Sequence, residues 1–136
     1  TIEEYLSTHS DRFDIITCME LIEHVPNPSK LIADCTKLLR PGGQIFLSTI
    51  NRTPKAYALA IIGAEYVLNM LPKHTHDYKK FIRPAELAVM LKQANMQLMD
   101  LQGLNFKPFT KTAHLQDDLS VNYLAYAKRE DHDNII

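Results

Sequence analysis

An excess of charge of either sign is almost absent from this chain. Lys and Arg number 15 against 16 Asp and Glu, a net charge of −1, so the basic footprint of a general nucleic-acid binder is missing and small molecules or local charged patches are the expected partners. No basic stretch followed by an apolar run opens the sequence; Thr1 to Ser10 is polar and acidic, so the expected compartment is cytosolic. Cysteine is scarce. Cys18 falls in an apolar run and Cys35 in a helical pattern, where two buried, reduced thiols fit better than a disulfide or a metal pair. Uninterrupted apolar runs are short, internal repeats and low-complexity stretches are lacking, and the 136 residues, 46% of them apolar, suffice for one packed domain.

What is present is organised around Phe13-Asp14-Ile15-Ile16-Thr17-Cys18-Met19, an apolar run rich in β-branched residues, followed by Glu20, Glu23 and His24 within five positions. A buried parallel strand delivers chemistry at its carboxyl end in this way. Before it, Ile2, Tyr5 and Leu6 give a weak helical stripe. After it, Asn27-Pro28-Ser29 reads as a helix start, and Leu31, Ile32, Cys35, Leu38 and Leu39 share one face of a helix expected to stop at Gly42-Gly43. Gln44 to Ile50 is expected to pair as a second, parallel strand of a right-handed βαβ unit.

Thr53-Pro54 offers a helix cap with proline at the first helical position, opening an apolar helix over 56–71. Glu65 and Asn69 interrupt it, so a lid or interfacial helix fits better than a membrane span. Arg83-Pro84-Ala85-Glu86 opens another helix with Leu87, Met90, Leu91 and Ala94 on one face and Asn95 as its stop. Met96 to Leu104 and Val121 to Ala127 read as two final strands, joined by a long loop over 105–120. Residues 131–136 read as a frayed tail.

Several segments, namely Cys18 to Pro26, Leu39-Arg40-Pro41-Gly42-Gly43, Ser48 to Arg52, Gly63-Ala64-Glu65-Tyr66 and Pro72-Lys73-His74-Thr75-His76-Asp77, closely resemble the ubiquinone-biosynthesis O-methyltransferases. The first two are similar to many S-adenosylmethionine-dependent class I methyltransferases, whereas the last two are far more specific. The resemblance implies an α/β, Rossmann-like sheet, of which this chain supplies the fourth to seventh strands with the last one antiparallel. It implies that residues 1–136 form the carboxyl-terminal part of one methyltransferase domain, with a lid or membrane-contact insertion at about 52–83. The family's glycine-rich cofactor loop and ribose-holding acid have no counterpart among the four glycines here. A sheet begun at its fourth strand leaves that strand as an exposed apolar edge.

The same resemblance implies an enzyme that uses S-adenosylmethionine to O-methylate a polyprenylated dihydroxybenzene intermediate. Glu20, Glu23 and His24 are the candidate catalytic residues. From spacing they are also a candidate Mg²⁺ set that lowers a phenol's pKa; the plainer reading is that they cap the next turn. Met19 falls where the family lines the adenine end of the cofactor pocket, with core packing as its plainer reading. The segment from Arg52 to Arg83 carries six Lys or Arg against two acids. Lys55, Lys73, His74, His76, Lys79 and Lys80 are therefore candidate contacts to substrate or to an anionic membrane surface. The expected location is cytoplasmic and peripheral to the inner membrane, with partners in a ubiquinone-biosynthesis complex. Rival readings are a methyltransferase for another small phenol or acid, and a non-catalytic membrane-binding module derived from a methyltransferase half.

Overall fold

The computed structural model describes residues 1–11, 13–67, 72, 77–107 and 109–131. A short helix, α1 (Ile2–Leu6), is capped by the Thr1 hydroxyl and leads to strand β1 (Phe13–Met19). Helix α2 (Pro28–Leu38) starts where the Asn27 side chain accepts the Lys30 amide at 3.0 Å, and Pro28 occupies the first turn, where its missing N–H costs nothing. The helix then passes directly into strand β2 (Leu39–Ile50).

That passage corrects the expected helix stop. Leu39 is already extended (φ −72°, ψ 144°), and two residues on Pro41 disfavours helical backbone at Arg40 and has no N–H with which to continue the helix. The two glycines instead belong to an irregular start of β2: Phe13 pairs with Leu39 but Ile15 pairs with Gln44, so 40–43 bulge out of the ladder. Gly42 takes φ 72°, and a Cβ on Gly43 would lie 2.8 Å from the Arg40 carbonyl, so both sites favour glycine.

Beyond β2, Thr53 caps a single α-turn, α3 (Pro54–Ala56), which continues as a π-helical stretch (Tyr57–Val67). The expected apolar helix is thus present with wider turns, and its end at 68–71 lies outside the described residues. A 3₁₀ turn (Tyr78–Lys80) and α4 (Pro84–Gln93) follow, and α4 ends with Asn95 at φ 57°, as its sequence anticipates. Strand β3 (Met96–Lys107) turns back into β4 (Thr112–Gln116), and β5 (Asn122–Arg129) completes the sheet. The long loop expected over 105–120 is therefore mostly hairpin. Thr112-Ala-His-Leu-Gln carries little β-branched signal, and the strand exists through its ladder to β3, Leu104 opposite Leu115 and Phe106 opposite Ala113. The expected tail over 131–136 lies, except for Asp131, outside the described residues.

The strand order is β1-β2-β5-β3-β4. β1 and β2 run parallel, and β5 lies antiparallel between β2 and β3, so β3 also runs with β2. Ile45, Leu47 and Thr49 share one face with Ala127, Ala125 and Tyr123, and there Ile32, Cys35, Leu87 and Leu91 of α2 and α4 close the core. On the other face the Phe46 and Tyr126 rings stack at 5.0 Å without a covering helix among the described residues. β1 is the open edge expected of it: Ile15 is 57% exposed and Met19 48%.

One close approach fixes the far side of the sheet. An added Cβ at Gly103 would run into the Asp118 carbonyl, and both are backbone positions that cannot swing aside. Gly103→Ala is expected to lower the stability of this chain by about 2 kcal/mol, within the usual range for overpacking, read as a shift in the urea midpoint with the slope unchanged.

Candidate active site

The carboxyl ends of β1 and β2 bring the polar groups together. Glu20 leaves β1 in left-handed backbone (φ 49°), an uncommon conformation for a non-glycine residue, and is held there by its amide, which donates to both the carbonyl (3.1 Å) and hydroxyl (2.9 Å) of Ser48. This bend lets Ile22 drop into the core and carries Glu23 in behind it, leaving Glu23 only 2% exposed. Its Oε2 accepts from the Thr49 hydroxyl at 2.9 Å, while Oε1 has no hydrogen-bond partner among the described residues and lies 4.0 Å from Nε2 of His24. His24 closes a turn to the Leu21 carbonyl (2.9 Å) and keeps its ring 42% exposed. An accessible imidazole is thus backed by a buried carboxyl.

Burial pushes the Glu23 carboxyl above its ordinary pKa, and repulsion from the nearby Glu20 adds to that, overcoming the hydrogen bonds that favour the ionised form. Burial also pushes Cys18 up to about 11 and Cys35 up to about 12, which keeps both as inert thiols.

Of the expected site residues, Glu23 and His24 are brought together, and Glu20 stands at the same strand end with its side chain exposed. Among the described residues no group of three His, Cys, Asp or Glu can hold a metal ion, so the Mg²⁺ reading of Glu20, Glu23 and His24 has no donor set here. Met19 is half exposed beside Leu21 (45%), an apolar surface rather than core. Lys55 is engaged: its ammonium lies 2.9 Å from Asp118, and hydrogen bonding from Ser120 together with that ammonium holds the Asp118 carboxyl well below the usual carboxylate range. Lys79 and Lys80 are exposed on their turn. Lys73, His74 and His76 lie outside the described residues.

Sequence reasoning missed a ring of groups that shuts the base of the 52–83 segment. Arg52 donates to the Phe81 carbonyl at 3.2 Å and pairs with Glu86, whose other oxygen accepts the Arg83 amide at 2.8 Å. The buried Tyr123 hydroxyl donates to the Ile82 carbonyl at 2.8 Å, Ile82 donates its amide to Ile50, and Asn51 donates to the Leu119 carbonyl at 2.9 Å. The signal was there: β2 turns from apolar to Ser48-Thr49 at its carboxyl end, the same change that marks β1.

The sheet order, with one antiparallel strand inserted next to the last parallel one, and a carboxyl-terminal strand edge that gathers the polar groups define the class I methyltransferase fold. A family model described as a methyltransferase domain matches residues 3–101, and the chain belongs to that family. It is 52% identical over 130 residues to the ubiquinone biosynthesis O-methyltransferase of Saccharophagus degradans, covering 95% of this chain and 55% of that protein. It is 49% identical over 130 residues to the protein of that name in Pseudomonas aeruginosa, covering 96% and 56%. The chain thus spans about half the length of the curated relatives it matches. Among solved structures, a SAM-dependent methyltransferase from Methanosarcina mazei superposes with a TM-score of 0.60 at 16% identity, over 93% of this chain and 63% of that one. Magnesium protoporphyrin IX methyltransferase from Synechocystis, with bound SAH, gives 0.58 at 16%, over 92% and 48%. These two bear on the fold alone.

A buried acid with a raised pKa favours the folded state while it is protonated. That stability is full below the unfolded carboxylate value and is lost as pH rises through the folded one. Glu23→Gln keeps an acceptor for Thr49 and removes the charge. It is expected to raise the melting temperature at pH 8 more than at pH 4, by calorimetry; an equal change at both would mean that Glu23 is not the titrating group.

Proposed function

We propose that this chain is the carboxyl-terminal half of an S-adenosylmethionine-dependent enzyme that O-methylates a polyprenylated dihydroxybenzene in ubiquinone biosynthesis. The observation that carries the reading is the exposed His24 imidazole backed by the buried Glu23 carboxyl at the methyltransferase strand edge; the roughly half-identical relatives name the pathway. Met19 and Leu21 present the apolar wall that suits one side of the cofactor's adenine, while no glycine-rich strand-to-helix turn for the rest of it occurs among the described residues. When bound, S-adenosylmethionine supplies a sulfonium methyl group whose carbon accepts an oxygen lone pair as the C–S bond breaks and a neutral thioether leaves.

The chain's own residues serve the oxygen. His24 takes the phenol proton as the O–C bond forms. Glu23, fixed by Thr49, lies 4.0 Å behind that ring, where its ionised form favours the imidazolium by charge. Glu23 is therefore a positioning residue, and most of the acceleration comes from holding the two reactants in line. No step is assigned to a metal, since no group of three His, Cys, Asp or Glu that could hold one occurs among the described residues.

The location proposed is the cytoplasmic surface of the inner membrane, beside other enzymes of the pathway. Tyr57, Leu59 and Ile62 are 42, 53 and 45% exposed on the π-helical stretch, with exposed Lys79 and Lys80 closing the same segment, which supports docking on an anionic surface that holds the prenyl tail. No helix among the described residues is long and apolar enough to cross a membrane.

In the native protein His24→Ala is expected to lower the methylation rate about a hundredfold, the usual worth of a placed acid–base group, with cofactor affinity by calorimetry unchanged. Glu23→Gln should shift the pH–rate profile and cost less. Near-full activity of the His24 variant would return that residue to a structural role. Binding to anionic vesicles should weaken with salt, and vesicle binding that ignores lipid charge would remove the membrane part of the reading.

A further inference from the structure

The β3–β4 hairpin places an uncovered aromatic tip at the same edge of the sheet as the insertion. β3 pairs with β5 as far as Gly103 opposite Tyr123, and Tyr123 lies opposite Thr49 of β2, so Gly103 stands level with the carboxyl end of β2. From Leu104 to Lys107 the ladder partner of β3 is β4, and beyond the Leu104 amide, which donates to the Asn122 side chain at 3.2 Å, no described bond ties this part to β5. Four residues at about 3.3 Å each carry the hairpin roughly 13 Å past that level, in the direction in which β2 releases the 52–83 segment. At the end, Phe109 is 96% exposed, and Phe106 behind it is 51% exposed. On the return side Lys111 sits in left-handed backbone at φ 54°, and the Thr110 and Thr112 hydroxyls on either side of it share a 2.8 Å hydrogen bond.

Its charge is as one-sided as its exposure. Between Leu101 and Gln116 there is no Asp or Glu, while Lys107 and Lys111 flank the aromatic. An aromatic held in water between two cations, with acids kept away, complements a surface that is negative outside and apolar beneath. We infer that this hairpin tip is a second membrane-contact element, with Phe109 entering the headgroup layer of an anionic bilayer and Lys107 and Lys111 meeting lipid phosphates. The inference rests on the membrane reading above. With the exposed Tyr57, Leu59 and Ile62 it gives two contacts along one edge, separated in the sheet by β5 and so by about 10 Å at the strand level. Two such points fix the tilt of the strand edge towards the bilayer, where one helix leaves it free to rotate. Leu115 is exposed too (61%), but it faces with Leu104 onto the open side of the sheet and not outward from the tip.

The test uses the native protein and vesicles of phosphatidylcholine with or without phosphatidylglycerol. Phe109→Ser is expected to lower the partition coefficient onto the anionic vesicles about tenfold, as loss of one buried aromatic implies. Lys107→Glu with Lys111→Glu should do the same in a salt-dependent way, whereas Leu115→Ser should change it little. The chain has no tryptophan, so a Phe109→Trp variant reports the tip directly, and its emission should shift to the blue and become quenchable by spin-labelled lipid only when anionic vesicles are added. If native protein binds and Phe109→Ser binds equally well, the hairpin inference fails while the membrane reading stands. If native protein binds neither vesicle, both fail. A blue-shifted tryptophan before any lipid is added would mean that protein covers the tip, and would overturn the proposal. Phe109 is almost fully exposed, so its replacement is expected to leave the fold intact, and circular dichroism of each variant is the check.

Discussion

The register of β2 is the constraint on which the rest depends. Because strand side chains alternate, the pairing of Ile45, Leu47 and Thr49 with Ala127, Ala125 and Tyr123 sends one set to the helix-covered core and the other to the open face. A slip of one residue would exchange them. It would also pull Thr49 from Glu23, Ser48 from the Glu20 amide, and Tyr123 from Ile82. Core and site are therefore specified by the same ladder, and the apolar residues that fix it, all nearly inaccessible, hold the polar groups in place without touching them.

Glu23 shows what that arrangement costs. A carboxyl at 2% exposure with a like charge nearby is unfavourable in its ionised form, despite the hydrogen bonds that favour that form. The fold tolerates it because the surrounding elements leave the side chain nowhere else to go: Ile22 is anchored in the core, Thr49 is buried opposite, and the Glu20 bend sets the path of the chain between them. Left-handed backbone at Glu20 next to a buried acid whose pKa is raised, both at one strand end, is the pattern of a functional site.

Much of this was legible in the sequence, for reasons that can be stated residue by residue. The β1 and β2 runs, the proline-started helices at Pro28, Pro54 and Pro84, and the Asn95 stop are local signals, decided by backbone sterics and hydrophobic period. What stayed hidden is what long-range pairing decides. β4 has little propensity of its own, the Gly42-Gly43 pair reads as a stop because a stop and a bulge use the same residue, and the π-helical turns leave no trace in a mostly apolar stretch. Within the site, Glu23 and His24 announced themselves as polar residues after a strand. The pairing of Lys55 with Asp118 did not, because 63 positions separate the two and only the fold brings them together.

The open surfaces carry one further consequence. Parallel strands are stable in water when both faces are covered and their edges paired, yet β1 exposes Phe13, Ile15 and Met19 along an unpaired edge, and the face bearing Phe46 and Tyr126 has no helix among the described residues. The curated relatives run to nearly twice this length, so outside the matched span they carry enough chain to cover both. The two exposures differ in kind from that of Phe109. The edge and the face are flat and continue the core, and a further strand or helix fits them with ordinary packing. The hairpin tip projects past the sheet and is bracketed by cations, so a strand along β1 and a helix over the Phe46 face would not of themselves reach it. Completion of the fold and contact with a lipid surface therefore need not compete for the same residues.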